Sequence, residues 1–598
     1  MLRFFPRVAI ALYKMPIFKR LKKASGKAAL YIAYKSGNYG LVEEVVLAHT
    51  KKFRPSVDFI DKYISAGSFK HFETIASSSK VSAEIASIIR AGALQAEGRA
   101  DDAVALLTGV NPQPFLLRRK VALTLRNIHR QRHEHGKAAA VMMRFLESEE
   151  NRVLISLGVS TAASAEAANE EVLFVSAISR VLVDIERVDE RGKLFKQHWK
   201  EAVAGCLAVF DIQGAIRIAR RAKAKGLKAG KVLAETQALR DELAPILHVV
   251  SEAHADILAR CGRADLVPHD VQAMIIVPGA AVRTNKRDYP GFRTDIRTCL
   301  KGIVQTLETE GIRYGVKGRI WNHGSVDCGF PFFSYHTVSD AIRGLHFKET
   351  DRPSLFSFDE RGYAGWSAFS QASFVDLKSE NLSQDAADNF FEQDRQRMVA
   401  NRISKYTQQD VMEKLPQRFI FVALQVMGDA VQSLAYMTPF AMLDEIIMAA
   451  QKRGLAVVVK RHPACKSVEI GKYLEDKKKA GDIVVTLGNI HDLIPASQAV
   501  CVVNSGVGAE ALIYEKPVFV FGRSDYMGAC FVCKGEGDFE RQFSENKTRL
   551  TGPELRKFWY FYRNEYACDL SNGSDSFRWI AARVRGHLRH HKLGADNV

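Results

Sequence analysis

Residues 457–463 read VVVKRHP, and residues 502–522 read VVNSGVGAEALIYEKPVFVFG. Each begins as a run of β-branched residues, which suits a buried strand, and each meets polar groups where that strand should stop. Pro463 cannot donate to a sheet ladder, so it marks the exit of the first run into a loop. In the second, Asn504, Ser505, Gly506 and Gly508 predict a tight turn, with a helix beginning near Val507 and reaching Tyr514. A helix start presents unpaired N–H groups and a partial positive charge, a natural seat for phosphate. Gly506 and Gly508 would let the backbone approach a ligand closely. Glu510, in the first helical turn, suits ribose hydroxyls or simply a favourable charge at a helix start. Lys460, Arg461 and His462 deepen the positive potential at the other strand end, and an imidazole N–H can donate to a phosphate oxygen.

Working outward, the neighbouring segments alternate strand and helix. RFIFVALQV is a strand, TPFAMLDEIIMAAQKRG a helix ending in glycine, and IVVTLG, AVCVVNS and PVFVFG further strands. Asp429 follows the first of these strands and, taken alone, reads as a turn or cap residue. Upstream, QAMIIVPGAAV is a short strand entering a Pro-Gly loop. It is followed by an amphipathic helix (RTDIRTCLKGIVQTLETEG) and short aromatic-rich pieces up to Ser370. Residues 375–415 read as helix and connector. Two α/β units in succession predict a ligand cleft between them.

From about Ala28 to Arg240 the chain is rich in Ala, Leu, Val, Arg and Glu, with helical periodicity. Turn signals near Gly98 and Gly136 and in FDIQGAIRIARRA from Phe210 suggest paired-helix repeats similar to tetratricopeptide repeats, an interaction or spacer module. The expected domains are a basic amphipathic segment at 1–27, a helical-repeat domain at 28–245, and α/β halves at 246–415 and 416–598.

The bulk composition agrees with a large soluble-type chain. Its 598 residues exceed one hydrophobic core, and the net charge of +18 favours anionic partners. Nine cysteines are too few and scattered for a disulfide framework, and Cys530-x-x-Cys533 has no second pair at zinc spacing. In the N-terminal segment the longest apolar run, Val8 to Tyr13, is far short of the roughly 20 residues of a membrane span. Its Arg and Lys residues suit either an anionic membrane surface or packing on the next domain. No nucleic-acid-binding module accompanies the positive charge.

Three elements in order resemble the capsular polysaccharide biosynthesis family of bacterial glycosyltransferases, whose members include retaining β-Kdo transferases using CMP-Kdo. They are Gln425-x-x-x-Asp429, Lys460-x-His462-Pro463 and Ser505-x-x-Gly508-x-Glu510-Ala511. The run from Lys516 to Tyr526 also fits, with weaker support from Phe358 to Phe369. The sequence departs from the family pattern at Ala430, where a serine often follows the aspartate. The resemblance implies a GT-B architecture, two Rossmann-type halves with the nucleotide mainly on the second. It implies no cofactor and no metal, with the CMP-sugar as donor substrate. It further implies that Lys460, Arg461, His462, Asn504, Ser505, Gly506, Gly508 and Glu510 bind the nucleotide sugar. Asp429 would be the nucleophile and His462 a catalytic partner. Asp359, Tyr363 and Trp366 would bind an acidic glycan or glycolipid acceptor. A cytoplasmic protein, attached peripherally to the inner membrane face, is the matching location. A CDP-glycerol-type glycerophosphotransferase is the alternative enzyme, although such enzymes bring a second histidine where this chain has Ser505-Gly-Val-Gly. A non-catalytic scaffold with a degenerate GT-B domain is the alternative outside enzymology.

Overall fold

The computed structural model describes residues 82–265, 270–283, 292–320, 323–372, 382–406, 408–409, 414–465, 467–544 and 549–593. The expected basic segment at 1–27 and a further turn signal, YKSGNYG from Tyr34, lie outside the described residues. The chain divides into two compact units.

One unit comprises residues up to Arg132 together with Lys466–Lys479. Its described part contains the helices Ala83–Ala96, Ala100–Thr108 and Phe115–Gln131. Gly98, at φ +75°, makes the first turn, and Arg132 reaches back to Asp101 at 2.6 Å. Ser82 caps the first helix by accepting the Ile85 N–H.

The other unit, His133–Cys465 with Ala480–Val598, begins with further helices. These run from His135–Glu147 through Ile155–Ala167, Glu171–Glu190, Gly192–Ala208, Ile212–Ala224 and Gly230–Leu243 to Leu247–Arg260, and from the first to Gly230–Leu243 each packs on the next. Gly136 lies inside the helix His135–Glu147, but one turn geometry recurs before it and beyond: Gly98, His133, Asn169 and Phe210, at φ +75°, +59°, +57° and +64°, each follow a helix C-cap and precede the next helix. From His135–Glu147 to Gly230–Leu243 the helices form an array of consecutive neighbours.

The helix Leu247–Arg260 covers edge strand β2 (Tyr314–Arg319) of the first sheet. Asp256 accepts the Gly318 N–H at 3.0 Å, and Arg260 donates to the Gly318 carbonyl at 3.3 Å. A Cβ on Gly318 would stand 2.7 Å from the Ala253 carbonyl, so glycine is what lets the helix lie this close. Covering the strand also removes an exposed sheet edge.

That sheet has six strands in the order β12-β5-β4-β3-β1-β2, with β1 at Ala273–Pro278, β3 at Phe332–Tyr335, β4 at Gly344–Glu349 and β5 at Leu355–Asp359. Strands β2, β1, β3 and β4 are parallel; β5 and β12 (Ala567–Asp569) are antiparallel additions. Two segments cross the boundary at 415/416 that the sequence suggests. Strand β12 returns to the first sheet, and the helix Gln384–Ala400 buries Phe391 and Met398 in the core beneath the second sheet. Only long-range packing reveals either.

The second sheet is wholly parallel, in the order β11-β10-β9-β6-β7-β8. Its strands are β6 (Phe419–Ala423), β7 (Ala456–Lys460), β8 (Val484–Thr486), β9 (Ala499–Val502), β10 (Val518–Val520) and β11 (Phe531–Val532). Their continuous Val, Ile and Phe runs reflect burial on both faces. The helix Pro439–Gln451 starts where Thr438 caps the Ala441 N–H and Pro439 takes the first turn; Gly454, at φ +61°, follows its end. The mixed helical and α/β architecture, with two parallel-rich sheets, is the one expected for the two α/β halves.

Candidate functional site

The order of the second sheet decides where its loops meet. From β6 the chain moves outward to β7 and β8, then returns to place β9 on the other flank of β6. The carboxyl ends of β6 and β9 therefore flank a topological switch point, where open α/β sheets hold ligands. In register, Ala423 pairs with Lys460 on one side and with Val502 on the other. The loop bearing Asp429 thus leaves the sheet between the Lys460–His462 strand end and the Asn504–Gly508 turn.

Asp429 precedes the 3₁₀ turn Ala430–Leu434, and its N–H donates to the Val426 carbonyl at 3.1 Å. Asn504 holds this loop in place: its Nδ2 donates to the Val431 carbonyl at 2.7 Å and to that of Arg523 at 3.3 Å. Asn504 is thereby a positioning residue. Lys460 donates to Gln408 at 2.8 Å and to the Gly488 carbonyl. Arg461 is half-buried, with Nη2 3.9 Å from the Cys465 sulfur. His462 stands edge-on to Tyr406 with ring centroids 4.8 Å apart, and its Nδ1 accepts the Ala464 N–H at 3.1 Å. A neutral ring in this setting carries its proton on Nε2.

The 505–508 turn is filled from within more than the sequence suggests. The Gly508 N–H donates to the Ser505 carbonyl at 2.9 Å, and the Val507 N–H approaches the Ser505 hydroxyl at 3.4 Å. A Cβ on Gly506 would lie 3.0 Å from the Asp351 Cβ, and one on Gly508 would lie 2.5 Å from the Tyr526 hydroxyl. Gly508 is thus required by the protein's own packing, and Gly506 is tightly enclosed by it. The helix that follows, Val507–Leu512, is shorter than expected.

Glu510 is only 3% exposed and accepts the Ser404 hydroxyl at 2.6 Å. Burial, with Asp351 nearby, pushes its carboxyl up to about 8 against the partial relief that Ser404 gives. It therefore stands as a buried acid beneath the turn, hydrogen bonded to Ser404.

The first half contributes the opposite wall. Strand β4 ends in Lys348 and Glu349. Glu349 accepts from Lys348, from Lys405 at 3.3 Å and from the Tyr335 hydroxyl at 2.8 Å. Burial would raise the Glu349 carboxyl, yet Lys348 and Lys405 hold it at about 2. Burial in turn lowers Lys348, which Glu349 and Asp429 partly counter. Asp429 also acts on Tyr363 and on His133, so the loop of the second sheet faces this wall.

Of the three acceptor-side residues, Asp359 accepts backbone N–H groups from Arg361, Gly362, Ala368 and Phe369 at 2.9–3.4 Å. Its carboxylate organises its own loop. Tyr363 is 2% exposed and hydrogen bonds His323 through its hydroxyl at 2.6 Å. Trp366, half-buried, packs 5.1 Å from Tyr363 and 5.5 Å from His323, centroid to centroid.

Lys348, Glu349 and Lys405 carry no motif, and GLHFKE reads only as a strand; their role emerges from pairing across 56 residues of chain. Among the described residues no group of three or more His, Cys, Asp or Glu is arranged to hold a metal ion. All nine cysteines are free thiols, Cys530 and Cys533 among them buried.

Residues 366–550 match the sequence model of the family described as capsule polysaccharide biosynthesis protein. No curated protein matches the chain. Among solved structures it is similar to Thermosulfurimonas dismutans KpsC, beta Kdo 2,4 transferase, at 16% identity over 52% of this chain and 99% of that one, with a TM-score of 0.32. The KpsC beta Kdo 2,7 transferase of the same organism aligns at 14% identity over 52% and 99%, TM-score 0.31. The wall teichoic acid polymerase TagF aligns at 10% identity over 59% and 98%, TM-score 0.21.

Proposed function

From the premise that residues 366–550 carry the capsule polysaccharide biosynthesis sequence, we propose that this chain is a GT-B glycosyltransferase of surface-polysaccharide assembly. It moves a sugar, Kdo from CMP-Kdo, to a glycan or glycolipid acceptor with retention of configuration. The observation that carries the reading is the convergence of Asp429, His462 and the Ser505 turn on the carboxyl edge of three adjacent strands, opposite Lys348 and Tyr363.

In this mechanism the Asp429 carboxylate attacks the anomeric carbon as the bond to the CMP phosphate breaks, giving a glycosyl ester and free CMP. An acceptor hydroxyl then displaces Asp429 from the opposite face and loses its proton, and the two inversions restore the starting configuration. The His462 Nε2–H and the Lys460 and Arg461 cations stabilise the charge that collects on the departing phosphate, without a metal ion. With the Val507 and Gly508 amides closed on Ser505, these side chains carry more of that task than the turn itself.

Among the described residues no helix is long and apolar enough to cross a membrane. Peripheral attachment to the inner face of the membrane, through the basic residues before Lys27, completes the reading.

The test is release of CMP from CMP-Kdo in the presence of an acidic glycolipid. Asp429→Ala and His462→Ala are expected to lower kcat at least about 100-fold with unchanged melting. Full turnover by Asp429→Ala would remove it as the nucleophile, and failure of the wild-type protein to bind CMP would remove the reading altogether.

A further inference from the structure

Arg319, the last residue of β2, is 8% exposed, and among the described residues no carboxylate pairs with it. Its Nη2 donates to the His323 carbonyl at 3.2 Å, while its Nε is buried with no acceptor among the described residues. Glu166, the carboxylate acting on it through space, is already bridged by Arg260 at 3.8 Å. A guanidinium stays charged at any working pH, and a buried, unpaired charge is costly unless an anion joins it. The neighbouring loop is shaped around it: a Cβ on Gly324, at φ +131°, would stand 2.9 Å from Nη2.

Next to Arg319 stands His323, with the rings of Trp366 and Tyr363 at 5.5 and 6.0 Å. Aromatic faces beside polar groups suit the apolar face of a sugar. The helical region completes the wall. His133, exposed and at φ +59°, acts electrostatically on both His323 and Asp429. His135 lies 6.4 Å from it, ring to ring. The His133 backbone is the usual left-handed one after a helix C-cap, here Arg132 at the end of Phe115–Gln131. Burial, with the nearby His135, Arg319, His133 and Lys348, pushes His323 down to about 3, so it serves as a neutral hydrogen-bonding ring. The fixed positive charge of the wall belongs to Arg319.

We infer that Arg319, His323 and His133 form a subsite for an anionic group on the acceptor sugar, whose ring lies on Tyr363 and Trp366. The helical region, clamped to β2 through Asp256 and Arg260, thereby takes part in choosing the acceptor. Calling the ligand the acceptor rests on the glycosyltransferase reading; the anion preference does not.

The test titrates the full chain with methyl glucuronoside, glucose 6-phosphate and methyl glucoside, which differ in their anionic group. An anion is expected to tighten binding about tenfold or more, as a charge-assisted pair should. Preference for the glucuronoside identifies a carboxylate subsite, and preference for the phosphate a phosphate subsite. Arg319→Met and His133→Ala are each expected to reduce the preference below about threefold, with Arg319→Lys restoring part of it. Equal binding of all three sugars, or an undiminished preference in His133→Ala, overturns the inference; His133 is exposed, so that variant decides even where Arg319→Met does not fold. A separate titration with CMP judges the glycosyltransferase reading, whichever way the sugar panel falls.

Discussion

Asp351 and Arg563 form two hydrogen bonds, at 2.9 and 2.6 Å, with side chains 2% and 0% exposed. The Tyr562 hydroxyl adds a third, at 3.0 Å, and the missing Cβ of Gly506 makes room for Asp351. One aspartate after β4 therefore joins the first sheet, the returning C-terminal segment and the turn after β9.

Removing one member of this pair leaves the other charged and buried. Asp351→Asn or Arg563→Met is expected to destabilise the protein by about 3–5 kcal/mol, read from urea unfolding. The double variant Asp351→Leu/Arg563→Met should recover most of that loss, because no charge is then left without its partner. A double variant as unstable as the two single losses added together would refute the account.

Gly508 faces the Tyr526 hydroxyl, which donates to the Ser505 carbonyl at 2.5 Å. Gly508→Ala should cost about 1–3 kcal/mol through crowding and weaken CMP binding as the turn shifts. Adding Tyr526→Phe removes the crowding oxygen and should return part of the binding, though not the lost hydrogen bond. Unchanged calorimetric affinity in Gly508→Ala would show that the turn has slack.

The folded pKa of Glu510, about 8, lies above its ordinary 4.5, so folding favours its protonated form. The resulting stability is fully present below about pH 4.5 and is lost as pH rises through 8, with a slope approaching about 1.4 kcal/mol per pH unit. Asp525, pushed up to about 7 by burial and by Asp351, adds to the decline over its own window, from 3.8 to 7. Glu510→Gln stays neutral and keeps an acceptor for Ser404, so its urea midpoints at pH 5, 7 and 9 should fall less steeply. Parallel pH profiles for the two proteins would mean that Glu510 ionises freely in the folded state.

The strands of the second half were the most legible part of the chain, because β-branched runs ending in Pro463 or Asn504 show both what is buried and where it stops. The loops bearing Asp429, His462 and Ser505 were legible for the same reason. Gly506 and Gly508 were legible as a turn, but the partners that enclose them, Asp351 and Tyr526, lie 155 and 18 positions away, so the turn reads as a ligand cradle when it is largely filled by protein. Beside two aromatic residues Asp359 suggests sugar binding, and its oxygens also accept backbone N–H groups of its own loop, which the sequence does not show.

Sequence alone determined the kinds of element, their order and the polar residues at the strand ends, because these depend on periodicity and turn chemistry within a few residues. Tertiary structure alone decided that β6 lies between β7 and β9, that β12 returns to the first sheet and that Arg319 is buried without a carboxylate partner among the described residues. Lateral strand order and buried charge depend on which distant surfaces exclude water together, and no local pattern of residues records that choice.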